Sequence, residues 1–308
     1  MSNKKPITVI VLSYNSESTI VETFDSILSQ SFGPENINLI ISDDGSQDKS
    51  KLIINKWLEK NGEYFNKVVR NFNAENLGIV KNFNSALLLV ETEWMKLIAG
   101  DDILLPHCLA VNHELIKKNN NKVFFSKMKA FKKIDNENIY FNELPDKKQQ
   151  LVLSQDLKKQ QLYLRTENFS VAPTTFIHMD VIREVGYLDE NYFLLDDYPL
   201  WVKLSLKGFS FNFIDDVTVL YRIGESASNT SKQIINKLIM IDLIKFELAK
   251  CEIYKDNKIN KIRSLVWAKV YPSLVNFFGN KKNVVSKTTI ITFNFIFKVG
   301  YLRNKLFS

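Results

Sequence analysis

The first hundred residues alternate short β-branched runs with segments whose apolar residues recur at helical spacing, and this constrains the fold more than anything else in the chain. "ITVIVLSYN" predicts a buried strand, and "STIVETFDSILSQSF" a helix with Ile20, Phe24, Ile27 and Leu28 on one face. "INLIISDDGS" is a second strand running into a turn. "SQDKSKLIINKWLEKNG" predicts a second helix with Ser46 as its cap, Ile53, Ile54 and Trp57 on one face, and Gly62 beyond its end. "NKVVRNFN", "NLGIVKNFNSALLLV" and "WMKLIAG" then add a strand, a helix and a strand. Such β-α-β-α repetition predicts an α/β fold, a mostly parallel sheet flanked by helices on both faces.

Ligands of such sheets bind beyond the carboxyl ends of the strands. Three polar clusters, "SYN", "DDGS" and "GDD", stand at strand carboxyl ends. In the last, the adjacent carboxylates Asp101 and Asp102 follow an apolar strand. They either form an Asp turn that caps the next helix, or converge on a hard divalent cation whose other positions are filled by water and a diphosphate. "ISDDGSQD" offers the same choice: Asp43 or Asp44 makes an Asx-turn with Gly45, or a carboxylate accepts an N–H from a nucleobase. In "GYLDENYFLLDDYPLWVKLSLKG", Asp197 either caps the helix beginning around Pro199 or serves as a general base. A helix N-terminus would favour its ionised form, whereas burial and the neighbouring Asp196 would raise its pKa.

Farther along, "KVFFSKMKAF" predicts a strand and "KKIDNENIYFNELPDKKQQ" a hairpin or mobile loop. "SQDLKKQQLYLR" reads as helical, "FSVAPTTFIH" as extended, "YPLWVKLSLKG" as a short helix with Gly208 after its end, and "FNFIDDVTVLYRI" as strands. From Ser226 the pattern turns helical, which suggests two units: residues 1–226, carrying the sheet, and a basic, mainly helical extension over 227–308.

At 308 residues, 45% hydrophobic, with only 10 Gly and 7 Pro, the chain can bury a large core and needs little linker. Cys108 and Cys251 lie far apart with no metal-type spacing, which suggests neither a disulfide framework nor a zinc site. The apolar run at Ile7 to Leu12 is too short for a secretory signal, so a cytoplasmic location is expected. The net charge of +7 is concentrated in residues 257–308, which hold ten Lys or Arg and no Asp or Glu.

Five of these segments, in order and at these spacings, resemble the inverting family 2 glycosyltransferases with the glycosyltransferase-A type fold, of the kind that builds bacterial surface polysaccharides: "TVIVLSYNSESTIVETFDSILSQSF", "IISDDGSQD", "NLGIVKNFN", "MKLIAGDDILLP" and "EVGYLDENYFLLDDYPLWVKL". The similarity covers about residues 5–224. It implies a nucleotide-binding sheet and a nucleotide-sugar donor, usually a UDP-sugar, whose sugar passes with inversion to a hydroxyl of a glycan acceptor in O-antigen or capsule-like biosynthesis. Leu12, Tyr14 and Asn15 would line the nucleotide pocket and Asp44 would meet the base. Lys81 and Asn82 would lie near the base or phosphates. Asp101 would face the ribose, Asp102 would hold Mn²⁺ or Mg²⁺, and Asp197 would be the base. Two departures stand out. The acidic pair, usually Glu-Asp, is Asp196-Asp197, and the histidine that often follows a Tyr-Arg pair is replaced in "YRIGESASN" by Gly224 and Glu225, leaving Arg222 to assist the phosphates. His107, His113 and His178 fall outside these motifs and read as structural or surface residues.

The basic tail suits an anionic membrane surface better than nucleic acid, for which no motif is present. A transmembrane span is excluded because Lys287 and Lys298 bracket only ten uncharged residues, where about 20 are needed. Val285, Thr289, Thr292, Ile296 and Val299 fit one apolar helix face: either the helix packs on the protein with its lysines solvated, or the lysines beside that face meet the inner face of the cytoplasmic membrane, in keeping with an acceptor carried on a lipid diphosphate. The alternatives are a catalytically silent nucleotide-sugar-binding or membrane-scaffold protein of the same fold, and a nucleotidyltransferase, although "SYNSEST" lacks the glycines of a phosphate loop.

Overall fold

The computed structural model describes residues 4–118, 120–135, 137–224 and 232–298. The opening alternation becomes β1 (Ile7–Ser13), α1 (Ile20–Leu28), β2 (Ile37–Asp43), α2 (Ser50–Asn61), β3 (Lys67–Phe72), α3 (Ile79–Leu87) and β4 (Trp94–Ala99). There follow β5 (Ile103–Leu104), α4 (Cys108–Lys118), β6 (Val123–Ile134), β7 (Glu137–Leu144), α5 (Lys147–Leu153), α6 (Leu157–Leu164), β8 (Phe176–His178), α7 (Met179–Glu184), α8 (Asp197–Leu206) and β9 (Asn212–Arg222). Three helices follow among the described residues: α9 (Lys237–Ile253), α10 (Lys258–Phe277) and α11 (Val284–Phe297).

One sheet runs in the order β3-β2-β1-β4-β8-β6-β9-β5, with β7 paired to β6. Its first four strands are parallel, as are β6 and β9, whereas β8, β5 and β7 join antiparallel, so the second half of the sheet is mixed. The central strands are apolar throughout because both of their faces are covered. Ile10, Ile40 and Leu97 pack on one side against Val80 and Phe83 of α3 and Trp201 of α8. Val9, Val11 and Ile41 pack on the other against Phe24 of α1 and Trp57 of α2. Each such side chain is worth roughly 2 kcal/mol on burial, which fixes the register: a one-residue slip would exchange the two cores.

Ser46 is not the cap of α2. That helix begins at Ser50, and the Ser46 hydroxyl is held instead by Asp43 Oδ2 at 2.6 Å. "FSVAPTTFIH" is extended only over β8, because Ala172–Thr174 forms a 3-10 turn around Pro173, whose nitrogen cannot donate to a strand ladder. The polar stretch after β6 folds back as β7, a hairpin, and then enters α5, with Asp146 accepting the Gln149 N–H as its cap.

Beyond the boundary expected near residue 226, α9 still packs on the sheet-bearing body: its Phe246 lies in the core with Tyr192 and Tyr198. α10 and α11 close a small core of their own from Trp267, Tyr271, Val275 and Ile290, joined by Met240 of α9. The apolar face expected on α11 points outward, with Val285 and Ile296 exposed, while Ser286 is buried against the turn and Ile290 against α10. Glu225, Val299, Arg303 and Lys305 lie outside the described residues.

Candidate active site

Register brings the three polar clusters together. Leu12 pairs with Ser42 on one side and with Ala99 on the other, so Tyr14, Asp44 and Asp101 each stand two residues beyond a mutually paired row. Tyr14 is 48% exposed and Asn15, also exposed, takes a left-handed conformation at φ 50°. The Asn15 N–H donates to Ser46 Oγ at 2.8 Å, and its Oδ1 accepts the Gln47 N–H at 2.9 Å, tying the end of β1 to the turn after β2. Leu12, half-buried, packs into the core from the same strand end.

The two carboxylates of "DDGS" differ. Asp43, fully buried, closes the turn through the N–H and hydroxyl of Ser46. Asp44 reaches across to the segment before α3, accepting the N–H groups of Leu77 and Gly78 at 2.9 Å and the Asn73 side-chain amide at 3.0 Å. Asn82 is buried in the same network, its Oδ1 accepting from Ser42 Oγ at 2.6 Å and from Asn73 at 3.0 Å, while Lys81 beside it is exposed. Asp44 and Asn82 therefore brace the walls of this edge.

Asp101 and Asp102 do not cap a helix, since β5 intervenes before α4. Gly100 lets their turn sit directly on α1: its N–H donates to Leu12 O at 2.8 Å, its carbonyl accepts from Thr19 Oγ1 at 2.8 Å, and a Cβ there would lie 2.8 Å from Ile20 Cδ1. Asp102 is 1% exposed; its Oδ1 accepts the Arg222 backbone N–H at 2.9 Å, and its buried Oδ2 has no hydrogen-bond partner among the described residues. Burial raises the pKa of both carboxylates. For Asp102 the charge of Asp101 adds to burial, and Arg222 and Lys96 oppose them.

Arg222 is brought to the same place from β9. Its Nε donates to the Asp101 carbonyl at 2.7 Å, its guanidinium pairs with Glu22 of α1, and it lies 4.5 Å from the centre of the Phe131 ring. Glu22 also pairs with Lys133 of the hairpin. Burial pushes the Glu22 pKa up, but hydrogen bonds from Lys133 and Arg222 outweigh it and the net shift is downward.

Asp196 and Asp197 open α8 and line a small apolar crevice with Phe83, Leu97, Thr175 and Trp201. Asp197 Oδ1 accepts the Tyr198 N–H at 2.6 Å and Oδ2 accepts from Asn168 Nδ2 at 2.7 Å. Both acids retain partial solvent access, yet loss of water raises both pKa values. Asp196, next to the Asp197 charge, is pushed up to about 7.

Three residues here carry no signal that sequence reasoning used. Lys96 is fully buried inside β4, its ammonium donating to Pro173 O at 2.6 Å and Leu97 O at 2.7 Å; burial takes its pKa down to about 8, against the pull of Cys108 and Asp102. A lysine inside an apolar strand was the available hint. Glu22 and Asn168 offered none, because their partners are remote in the chain. The histidines stay apart from this edge: His178 caps α7, His113 packs on the Phe32 ring and His107 faces Asp216.

A mainly parallel sheet-edge of this kind, with acidic residues beyond its strand ends, is the frame of a glycosyltransferase-A type fold, and the chain belongs to the glycosyl transferase family 2, whose model matches residues 8–185. An uncharacterized glycosyltransferase of Methanocaldococcus jannaschii is 22% identical over 222 residues, 72% of each chain. The Staphylococcus aureus poly(ribitol-phosphate) beta-N-acetylglucosaminyltransferase TarS is 30% identical over 122 residues, covering 40% of this chain and 21% of TarS. The structure of TarS 1-349 in complex with UDP-GlcNAc superimposes with a TM-score of 0.62 at 18% identity, over 94% of this chain and 79% of that one. A Pyrobaculum calidifontis mannosyltransferase in complex with GDP-Man and Mn²⁺ gives a TM-score of 0.57 at 13% identity, over 94% and 80% of the two chains.

Proposed function

We propose that this glycosyltransferase takes a UDP-sugar donor at the carboxyl edge of β1, β2 and β4 and transfers the sugar, with inversion, to a hydroxyl of a surface-glycan acceptor carried on a lipid diphosphate. Support for the donor class and the glycan comes from the family and from TarS, a poly(ribitol-phosphate) beta-N-acetylglucosaminyltransferase whose structure is in complex with UDP-GlcNAc. The observation that carries the reading is the Asp102 carboxylate: buried, next to a second carboxylate, with one oxygen that no group among the described residues satisfies.

Such an arrangement is costly on its own and fits a divalent cation. Among the described residues no three His, Cys, Asp or Glu side chains converge on one point. Asp102, with Asp101 beside it, would thus hold Mn²⁺ or Mg²⁺ with the donor diphosphate and water completing the shell. Bound there, the ion would supply charge neutralisation for the departing diphosphate. Asp44, Asn82, Tyr14 and Asn15 shape the nucleotide side, and Lys81 lies within the same segment to meet phosphate charge.

Asp197 would accept the acceptor hydroxyl proton. The acceptor oxygen then bonds to the anomeric carbon from the face opposite the diphosphate, and the breaking carbon–oxygen bond leaves its electron pair on UDP. Asn168 fixes the orientation of the base. The test is UDP release from a panel of UDP-sugars with glycan acceptors, with and without Mn²⁺. Metal-dependent release supports the assignment, whereas nucleotide binding without turnover across the panel overturns it.

A further inference from the structure

α10 and α11 are joined by a turn that projects apolar side chains into solvent. Phe277, the last residue of α10, is 81% exposed, and Val284 and Val285, the first two of α11, are 80% and 65% exposed. Exposed apolar residues scattered singly are ordinary on a protein surface, but three so exposed at the two helix ends that one turn joins stand out as a candidate contact site. Phe278 packs its ring edge-on against Phe277 at 5.2 Å and extends the group.

The turn is held firmly. Asn280 bonds through its side chain to both the N–H and the carbonyl of Ile235, the Lys282 N–H donates to Lys232 O at 3.0 Å, and Asn283 and Ser286 form a reciprocal capping box at the start of α11. These bonds satisfy the backbone of the turn without drawing its apolar side chains inward. They also gather Lys232, Lys281, Lys282 and Lys287, all exposed, around the same point. No Asp or Glu occurs in residues 232–241 or 257–298, and among the described residues no carboxylate pairs with these four lysines.

We infer that this turn is a docking tip for an anionic lipid bilayer, with Phe277, Val284 and Val285 entering the boundary between headgroups and acyl chains while the lysines meet the lipid phosphates. A second copy of the same surface would bring like charges together and is disfavoured. A nucleic acid would use the lysines but offers nothing for two protruding aliphatic side chains. Among the described residues no helix is long and apolar enough to cross a membrane, so the tip rests on the surface. Docking is independent of the proposed transfer reaction and can be read without donor or acceptor.

The experiment is vesicle co-sedimentation of the full chain, using phosphatidylcholine alone and phosphatidylcholine mixed with phosphatidylglycerol. Binding is expected only to the mixed vesicles, weakening as salt is raised. Combined Phe277→Ser, Val284→Ser and Val285→Ser, which leave the turn's hydrogen bonds intact, should cut partitioning about tenfold or more. Lys281→Glu with Lys282→Glu should do the same. Failure of the wild type to bind mixed vesicles overturns the inference. So does unchanged partitioning of the apolar variant, whether it then loses self-association in gel filtration or the chain prefers a DNA oligonucleotide. Because exposed positions are changed, unaltered melting curves establish that the variants are folded.

Discussion

Asn168 donates its side-chain amide to Asp197 Oδ2 over 2.7 Å, across 29 residues of sequence, and thereby fixes the carboxylate that opens α8. That bond lowers the Asp197 pKa against the upward push of burial. Asn168→Ala should therefore reduce kcat by about tenfold or more, leave the donor KM nearly unchanged, and move the acid limb of the pH–rate profile to higher pH. A residue that merely supported the fold would lower the melting temperature without moving that limb.

Asp196 gives a stability signature. Its folded pKa, about 7, lies above its ordinary value of 3.8. Ionising it within the fold thus costs stability, a cost absent below the lower value and full above the higher one. Asp196→Asn should raise the melting temperature at pH 8 relative to the wild type, with the difference shrinking as pH falls through that window to 4. An offset that stays constant with pH would count against the assignment.

For Asp102 the readout is ligand stabilisation. UDP with Mn²⁺ at 100 times the dissociation constant should stabilise the wild type by about 2.7 kcal/mol. Asp102→Asn, which keeps the size of the side chain, should remain folded and lose most of that gain. Retention of the full gain would move the metal elsewhere.

Gly45 tests the wall of the proposed nucleotide side. Its φ is +70°, and a Cβ would lie 2.5 Å from the carbonyl carbon of Glu75 and 2.8 Å from the Asn76 nitrogen, both backbone atoms. Gly45→Ala should cost about 2 kcal/mol or more, from left-handed strain and from displacement of the segment that Asp44 holds. A urea midpoint lowered at constant slope is the expected outcome.

The edge formed by Tyr14, Asp44 and Asp101 was legible because parallel strands joined by helices put every strand's carboxyl end on one side, and apolar runs show where each strand stops. Ser46 was misjudged because a serine before a helical pattern looks like a cap whether or not a nearer carboxylate, here Asp43, captures its hydroxyl. The Arg222–Glu22–Lys133 cluster joins β9, α1 and the β6–β7 hairpin, with both partners of Glu22 more than a hundred residues from it, so that no local pattern connects them. Asn168 was hidden for the same reason. The direction of the α11 face was recoverable only from packing, since Ile290 and Val285 are equally apolar in sequence.

Asp242 of α9 accepts the N–H groups of Phe193, Leu194 and Leu195 at 2.8, 2.7 and 3.1 Å on one oxygen, immediately before the acidic pair. Lys250, two turns farther along the same helix, holds the Tyr198 hydroxyl at 3.0 Å just after it. The acidic pair is thus bracketed from outside the segment the family model matches. Exchanging the carboxyl-terminal region between relatives would transplant half of the mount on which the proposed base, Asp197, sits, so acceptor selectivity and the identity of this helix should be inherited as one unit.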